Sequence, residues 1–277
     1  MTAPARVALI GDPVSASVSP VMQRAAFAAA GLELDYTAVR VGRAELPAAF
    51  VELRRRYVGL NVTRPLKEAV IPMLDAVSGP ATEAGSVNTV VFADGAARGE
   101  STDGAGFLAA LARVSDSPVR RALVLGTGGA ARAVTAVLRR SGAAVAVAGR
   151  NNAAAERLQT DLGVEPTRMQ PRALAAKLAS ADLLVNATPV GGGPTPSATP
   201  LPDGVPLHPG LVVFDLVYRP RRTALLERAA GAGCRTVEGI EMLIEQGTRS
   251  FELWTGCPAP VEAMRAAAYA GLAEATP

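Results

Sequence analysis

The chain has 277 residues, of which 49% are hydrophobic and 19% are charged, and its formal net charge is +3. This length accommodates two domains with separate cores, and the composition is that of a folded protein rather than a disordered one. The low net charge and the scattered arginines argue against a nucleic-acid-binding surface, and without an uninterrupted apolar run of about 18 residues no membrane span is expected.

Short apolar runs alternate with alanine-rich segments along the whole sequence. Strands are predicted at residues 7–10, 36–41, 58–62, 87–92, 122–125, 144–148, 183–186, 212–216 and 235–237. Helical spacing is present between them, at residues 21–30, 45–57, 131–141 and 223–232. This alternation predicts an α/β fold with mostly parallel sheets and helices on both faces.

The sequence changes character near residues 104–120, where a break at residues 115–118 precedes a new strand that begins at Arg121. We therefore expect a first α/β domain at residues 1–104 and a Rossmann-like nucleotide-binding domain at residues 105–238. Residues 239–277 have helical spacing and no strand pattern, so we expect these helices to pack back on the first domain.

Alternating serines, Ser17 and Ser19, stand between the first predicted strand and Pro20. Both hydroxyls are able to bind a carboxylate beside the start of the following helix. The alternative is helix capping, since Ser before Pro is an ordinary arrangement at a helix N-terminus. Asp103, in a Thr-Asp-Gly segment, is in the same way either a site carboxylate or a helix cap.

Lysine is rare in this chain. Only two of the 28 basic residues are lysines, Lys67 and Lys177, and Lys67 follows the third predicted strand. A lysine loses its proton when it is partly desolvated, whereas an arginine effectively cannot. Lys67 is therefore a candidate for proton transfer, and the alternative is a surface lysine without a role.

A glycine-rich turn at residues 126–130 follows one strand and precedes a helix. Free N–H groups and the helix dipole suit a pyrophosphate here, although glycine also serves as plain turn chemistry. The next strand leads to Arg150, where NAD-binding folds usually place an acidic residue. Because a guanidinium holds a ribose 2′-phosphate with two parallel hydrogen bonds, we favour NADP over NAD. The alternative for Arg150 is a solvent-facing loop arginine.

Eight ordered motifs extend these signals across both domains. They lie at residues 17–20, 61–67, 85–89, 102–104, 126–130, 186–189, 215–220 and 242–247. In these motifs the chain resembles the shikimate dehydrogenase family from about residue 7 to residue 254. The pattern departs from the family at Gln23 and Arg24, where His-Asn is common, and at Ser101, where Asn is usual.

The resemblance implies reversible hydride transfer between NADP and the 3-position of shikimate, giving 3-dehydroshikimate, in chorismate and aromatic amino-acid biosynthesis. Catalysis would use Lys67 for proton transfer and Asp103 to hold the ammonium and the substrate. The substrate-binding residues that the resemblance implies are Ser17, Ser19, Thr63, Lys67, Asn88, Asp103, Tyr218 and Gln246. The cofactor-binding residues that it implies are Gly126, Thr127, Gly128, Gly129, Ala130, Arg150, Asn151, Thr188, Leu216 and Gly239.

Two alternatives differ in function. A quinate/shikimate dehydrogenase would have a broader substrate range or use NAD, and Ser19 and Arg150 argue against it. A non-catalytic NADP-binding paralogue would not need both Lys67 and Asp103. We expect a small-molecule substrate, no metal, no nucleic-acid or membrane partner, and a monomer or homodimer.

The cysteines, Cys234 and Cys257, lack metal or redox spacing, so we expect reduced packing residues in a cytoplasmic protein. The first residues lack the charged-then-apolar layout of a signal peptide, which agrees with that location.

Overall fold

The computed structural model describes residues 5–273, and the chain divides into two units. One unit combines the residues up to Gly106 with the residues from Leu243 onward, and the other comprises Phe107–Met242. Each unit contains a six-stranded sheet. The prediction of a two-domain α/β fold with mostly parallel sheets is confirmed.

The sheet of the discontinuous unit has the strand order β2-β1-β3-β5-β6-β4. Its strands are β1 (Ala5–Gly11), β2 (Leu34–Arg40), β3 (Gly59–Val62), β4 (Ala76–Val77), β5 (Thr89–Ala93) and β6 (Ala96–Glu100). Strand β1 pairs in parallel with both β2 and β3, whereas β5 is antiparallel to both β3 and β6. The helices are α1 (Ser19–Ala29), α2 (Leu46–Arg56), a 3-10 turn (Ile71–Met73), α3 (Gly79–Ala84) and α4 (Asp103–Ala112), which continues into the second unit.

The sheet of the continuous unit is entirely parallel, with the order β12-β11-β10-β7-β8-β9. Its strands are β7 (Arg121–Leu125), β8 (Ala144–Ala148), β9 (Glu165–Thr167), β10 (Leu183–Asn186), β11 (Val212–Asp215) and β12 (Arg235–Val237). Its helices are α5 (Gly129–Arg140), α6 (Asn152–Leu162), α7 (Pro171–Leu178) and α8 (Ala224–Gly231). The last helices of the chain are α9 (Gly239–Thr255), which runs from this unit into the first, and α10 (Val261–Ala273).

Side-chain alternation along the buried strands divides the core of the continuous unit between two faces. Val124 and Val185 pack with residues of α5 and α6 on one face. Their neighbours Leu123 and Leu184 pack with residues of α7 and α8 on the other. Strands covered on both faces read as continuous apolar runs, which explains why their positions could be predicted closely.

The C-terminal helices contribute to the core of the first unit. Phe251 of α9 stacks on Phe27 of α1 with ring centroids 5.6 Å apart. The Trp254 Nε1 donates a hydrogen bond to Val90 O at 3.0 Å, and a Cβ on Gly271 of α10 would lie 2.7 Å from Val21 Cγ1. These contacts are of the kind expected for helices that return to the first sheet.

Several local predictions were incomplete. The strands β4, β6 and β9 were not predicted, because β4 has two residues, β6 is rich in alanine, and β9 is an edge strand that contains Pro166. The expectation that Cys257 is a packing residue was wrong, since Cys257 is exposed, whereas Cys234 is buried and both thiols are free. No helix within residues 5–273 is both long and apolar enough to span a bilayer.

Candidate active site

Strand directions bring four loops to one edge of the sheet in the discontinuous unit. The parallel strands β1 and β3 end at this edge, so the segment after Gly11 lies beside the segment after Val62. Because β5 is antiparallel to β3, its amino end reaches the same edge, and β6, antiparallel to β5, ends there too. Lys67, Asn88 and Asp103 are on these loops and therefore lie together.

Lys67 and Asp103 form the central ion pair of this edge. Lys67 Nζ donates to Asp103 Oδ2 at 2.5 Å, and the two side chains are 16% and 5% exposed. The other carboxylate oxygen, Oδ1, accepts from Asn88 Nδ2 at 3.0 Å. Val87 N also donates to Lys67 O at 2.8 Å, which ties the lysine loop to the strand that follows Asn88. Each oxygen of the carboxylate thus has its own donor, and the ammonium has a fixed position.

Asn88 links this pair to α9. Its Nδ2 lies 3.0 Å from Gln246 Oε1 and 2.7 Å from Thr102 Oγ1, while its Oδ1 accepts from Thr102 N at 2.7 Å. Gln246 Nε2 donates to Leu243 O at 2.9 Å, which fixes the orientation of the Gln246 amide. Three predicted substrate residues, Asn88, Asp103 and Gln246, therefore belong to one hydrogen-bonded group.

A buried polar layer beneath this group was not predicted from the sequence. Asn61 Nδ2 donates to Ser250 Oγ at 3.1 Å, and Tyr36 OH donates to Asn61 Oδ1 at 2.7 Å. Ser250 Oγ in turn lies 2.7 Å from Thr89 Oγ1 and 3.3 Å from Thr102 Oγ1. The motif containing Asn61 gave a partial signal, but its partners are too distant in the chain for spacing to indicate them.

The serine loop and Thr63 occupy the neighbouring part of the same edge. Ser17 Oγ accepts from Ser19 N at 3.2 Å, Ser19 is buried, and α1 begins at Ser19 without a side-chain cap. A Cβ on Gly11 would lie 2.4 Å from Thr63 Cγ2, so the ends of β1 and β3 approach closely. The Ser17 hydroxyl thus accepts the N–H of the first residue of α1. This contact resembles the capping alternative, although the N-cap residue itself is Val18.

In the continuous unit, the glycine-rich turn lies at the carboxyl end of β7. Gly126 has φ +119°, and a Cβ there would lie 2.8 Å from Ala187 O. Gly128 precedes α5, and a Cβ on it would meet nothing within 4 Å. Thr127 is partly exposed, and its Cγ2 would lie 2.7 Å from a Cβ on Gly149. Gly129 and Ala130 form the first residues of α5, so the turn presents free backbone N–H groups at a helix start.

Arg150 and Asn151 follow β8 at the same edge. Arg150 is exposed, and within residues 5–273 its side chain makes no hydrogen bond or ion pair. Asn151 is the N-cap of α6, with Oδ1 accepting from Ala154 N at 3.1 Å. The structure thus gives Asn151 a local capping role, which was not predicted, while the Arg150 guanidinium is available to a ligand.

The remaining candidates follow β10 and β11. Thr188 Oγ1 donates to Asn186 Oδ1 at 2.7 Å. Leu216 and Tyr218 follow β11 and are partly buried, and both belong to the continuous unit. A Cβ on Gly239 would lie 2.6 Å from Leu216 O, so the first turn of α9 contacts the backbone at the end of β11.

Asp215, the last residue of β11, is fully buried. Burial raises the pKa of its carboxyl to about 6, opposed by hydrogen bonds from Thr223, Val217 and Asn186. The motif that contains Asp215 was recognised, but no role was predicted for it. No cluster of three or more His, Cys, Asp or Glu side chains suited to a metal occurs within the described part of the chain.

Comparisons with known proteins cover nearly the whole chain. A family model for the shikimate dehydrogenase substrate binding domain matches residues 9–90. A shikimate / quinate 5-dehydrogenase model matches residues 109–192, and a shikimate 5′-dehydrogenase C-terminal domain model matches residues 239–269.

Curated relatives and solved structures agree with these matches. The NADP(+) shikimate dehydrogenase of Methanopyrus kandleri is 44% identical, over 94% of this chain and 93% of its own length. The NADP(+) shikimate dehydrogenase of Moorella thermoacetica is 42% identical, over 93% of this chain and 90% of its own length. The crystal structure of the Thermus thermophilus shikimate 5-dehydrogenase in complex with NADP(H) and shikimate superposes with a TM-score of 0.89 at 40% identity, covering 97% of this chain and all of that one. The chain is therefore a member of the shikimate dehydrogenase family.

Proposed function

We propose that the protein is an NADP-dependent oxidoreductase that interconverts shikimate and 3-dehydroshikimate. The observation that carries this proposal is the buried Lys67–Asp103 pair with Asn88 and Gln246 around it. Burying two charges costs desolvation free energy that their mutual attraction often does not recover. A sensor or scaffold would have no use for such an ion pair at this position, whereas an enzyme would. Relatives named as NADP(+) shikimate dehydrogenases, at more than 40% identity, support the same activity.

The residues of the continuous unit suit NADP. The turn from Gly126 to Ala130 would hold the pyrophosphate, since a Cβ on Gly128 would meet nothing within 4 Å and α5 directs its positive dipole end toward that turn. Arg150 would hold the ribose 2′-phosphate, because its guanidinium is exposed and makes no hydrogen bond or ion pair within residues 5–273. Thr188, Leu216 and Gly239 would line the nicotinamide side, and bound NADP would supply the hydride-transfer chemistry.

Proton transfer is the task of Lys67. When the substrate carbonyl gains a hydride it becomes an alkoxide, and an acid must protonate that oxygen. The Lys67 ammonium would donate this proton and recover it in the reverse direction, while Asp103 keeps Nζ at a fixed position. Positioned proton transfer of this kind typically contributes about 10²–10⁴-fold in rate.

The remaining polar side chains would orient the substrate. Ser17 and Ser19 would bind the carboxylate, since their loop lies at the edge that also carries Lys67. Asn88 and Gln246 would bind ring hydroxyls, in an arrangement already fixed by their shared hydrogen bond. Thr63 and Tyr218 would complete the set.

We propose that Asp103 both orients Lys67 and accepts a hydrogen bond from a substrate hydroxyl. We further expect the first unit to bind the substrate and the continuous unit to bind NADP, in a cytoplasmic monomer or homodimer. The activity would belong to the biosynthesis of chorismate and the aromatic amino acids. No nucleic-acid or membrane partner is part of this proposal.

The test is the formation of reduced nicotinamide by the purified protein. Shikimate and quinate would each be offered with NADP+ and with NAD+, and kcat/KM compared for the four pairs. We expect shikimate with NADP+ to be preferred. Comparable rates with quinate or NAD+ would instead assign a broader quinate/shikimate dehydrogenase. Binding of NADP+ with no turnover of either substrate would contradict an enzymatic role and favour a sensor.

A further inference from the structure

Asp215 accepts three hydrogen bonds at the carboxyl end of β11. Thr223 Oγ1 donates to Oδ2 at 2.6 Å. Both other donors use Oδ1, namely Asn186 Nδ2 at 2.8 Å and Val217 N at 3.0 Å. The two oxygens therefore contact different parts of the fold. Oδ2 accepts from Thr223, the N-cap residue of α8, whereas Oδ1 accepts from Asn186 at the end of β10 and from Val217 after β11.

The contact with Oδ1 determines the orientation of the Asn186 amide. An amide has a donating and an accepting end, and Asp215 at one side requires the donating Nδ2 to face it. Nδ2 also donates to Val190 O at 3.0 Å. The accepting Oδ1 of Asn186 consequently faces Thr188, from which it accepts the N–H at 2.9 Å and the hydroxyl at 2.7 Å.

The network continues into the loop after β10. Thr188 Oγ1 accepts from Val190 N at 3.2 Å, so the segment from Asn186 to Val190 closes on itself. The same Oδ1 of Asp215 holds the N–H of Val217, which stands between Leu216 and Tyr218. One buried oxygen atom thus organises both segments that carry the candidate cofactor residues after β10 and β11.

Desolvation of the charged Asp215 carboxylate opposes folding. Asp215 is fully buried, and burial is the largest influence on its pKa, which it raises. Groups that disfavour folding in this way are typical of positions retained for function.

We propose that Asp215 is a positioning residue for the cofactor, which acts through Oδ1 on the Asn186 amide and the Val217 N–H and thereby holds Thr188 and Leu216 in place for NADP. This inference rests on the proposed function, because it assumes that NADP is the ligand at this edge. Asp215 itself touches Asn186, Val217 and Thr223 and is not a catalytic residue.

The test compares two substitutions of Asp215 by NADP+ titration calorimetry. In Asp215→Asn, the retained Oδ1 still accepts from Asn186 and Val217, and the new amide faces the Thr223 hydroxyl, which is able to accept from it. We expect the dissociation constant for NADP+ to remain within about threefold of wild type. In Asp215→Leu, which has the same branching but methyl groups in place of the oxygens, all three donors lose this acceptor, and we expect the dissociation constant to rise about tenfold or more.

Leu174→Ala is the matched control for lost stability. Leu174 is a fully buried residue of α7 in the same unit, and its truncation leaves a cavity without touching Asn186 or Val217. We expect NADP+ affinity within about threefold of wild type for this variant, despite a lower melting temperature. If Asp215→Leu does not fold, Asp215→Ala carries the same test, since it also removes both carboxylate oxygens and adds no volume to the buried site.

Three outcomes would overturn the inference. Wild-type affinity in Asp215→Leu would show that Oδ1 does not position the cofactor segments. An equal loss in Leu174→Ala would assign the effect to stability alone, and an equal loss in Asp215→Asn would assign it to the charge. If the wild-type protein itself does not bind NADP+, the proposed function fails, which is a result distinct from all three.

Discussion

Lys67 Nζ lies 2.5 Å from Asp103 Oδ2, and Asn88 Nδ2 occupies the other oxygen of the same carboxylate at 3.0 Å. Burial of the pair leaves 16% of the lysine side chain and 5% of the aspartate side chain exposed. The ammonium is therefore the more accessible member, while the carboxylate is enclosed by its donors. This asymmetry would suit a lysine that contacts the substrate and an aspartate that holds the lysine in position.

Replacing Lys67 should separate binding from catalysis. In Lys67→Ala the group proposed to transfer the hydroxyl proton is lost, whereas the hydroxyl and amide groups that would bind shikimate remain. We expect kcat to fall by about 10²–10⁴-fold, with the dissociation constant for shikimate within a few-fold of wild type by calorimetry. Normal turnover in this variant would rule out the proton-transfer role.

Lys177→Ala is the control for Lys67→Ala, because it removes the only other lysine of the chain. Lys177 lies on α7 and forms an ion pair with Glu165. Its loss should leave kcat unchanged, and a comparable fall in both variants would point to a general effect of charge.

Arg150 should determine the choice of nicotinamide. Its exposed guanidinium would pair with the 2′-phosphate that only NADP carries, so Arg150→Ala should raise KM for NADP+ by about tenfold to a hundredfold and leave KM for NAD+ nearly unchanged. Arg140→Ala is the matched control, since Arg140 is exposed at the opposite end of α5. Equal losses with both nucleotides would exclude the 2′-phosphate contact.

Asp215 should make folding stability depend on pH in a defined direction. Its pKa in the folded protein is about 6, above the ordinary 3.8, so the folded state holds the proton more tightly than the unfolded state. The resulting stabilisation is complete below about pH 4 and is lost as the pH rises through 6.

Wild type should therefore lose on the order of 2 kcal/mol of unfolding free energy, relative to Asp215→Asn, between pH 4.5 and pH 7.5. Urea denaturation of both proteins at the two pH values measures this difference. Parallel changes in the two proteins would show that Asp215 does not titrate in this range.

Gly126→Ala should disturb both folding and cofactor binding. The new Cβ would lie 2.8 Å from Ala187 O, a backbone atom, and the residue has φ +119°. Gly142→Ala is the matched control, because Gly142 has φ +87° with nothing within 4 Å of its Cβ. We expect backbone strain to lower the free energy of unfolding by about 1–3 kcal/mol in both variants. Only in Gly126→Ala do we expect a larger decrease, together with weaker NADP+ binding. Equal NADP+ affinity in the two variants would contradict the assignment of this turn.

The buried parallel strands were the most predictable part of the fold. Residues 144–148, 183–186 and 235–237 were predicted with the bounds that the structure gives. The hairpin of β5 and β6 was not predicted, although its signal is present. Asp94 and Gly95 join the two strands and have φ of +53° and +73°, and Asp-Gly is the preferred pair for a turn of this kind.

For the candidate site, the sequence indicated which residues carry chemistry but not which groups they contact. Lys67 and Asp103 stand out by residue type and by resemblance, yet their meeting also depends on the antiparallel pairing of β5 with β3, which no local pattern specified. The buried hydroxyls of Ser250 and Tyr36 have no motif of their own, and their bonds to Asn61 join segments far apart in the chain. Asp215 was visible only as one letter of a motif, since its importance comes from three donors that the fold brings to it.

The division of the chain has a consequence for the order in which the protein is made. The continuous unit is complete once Met242 has left the ribosome, so it is able to fold during synthesis. The discontinuous unit cannot complete its folding at that stage, because Gln246, Ser250 and Trp254 are synthesised after the whole continuous unit. Its polar groups around Asn88 and Asn61 therefore remain without those partners until Gln246 and Ser250 have been synthesised. Premature termination just after Met242 would therefore release a complete continuous unit joined to an incomplete discontinuous one.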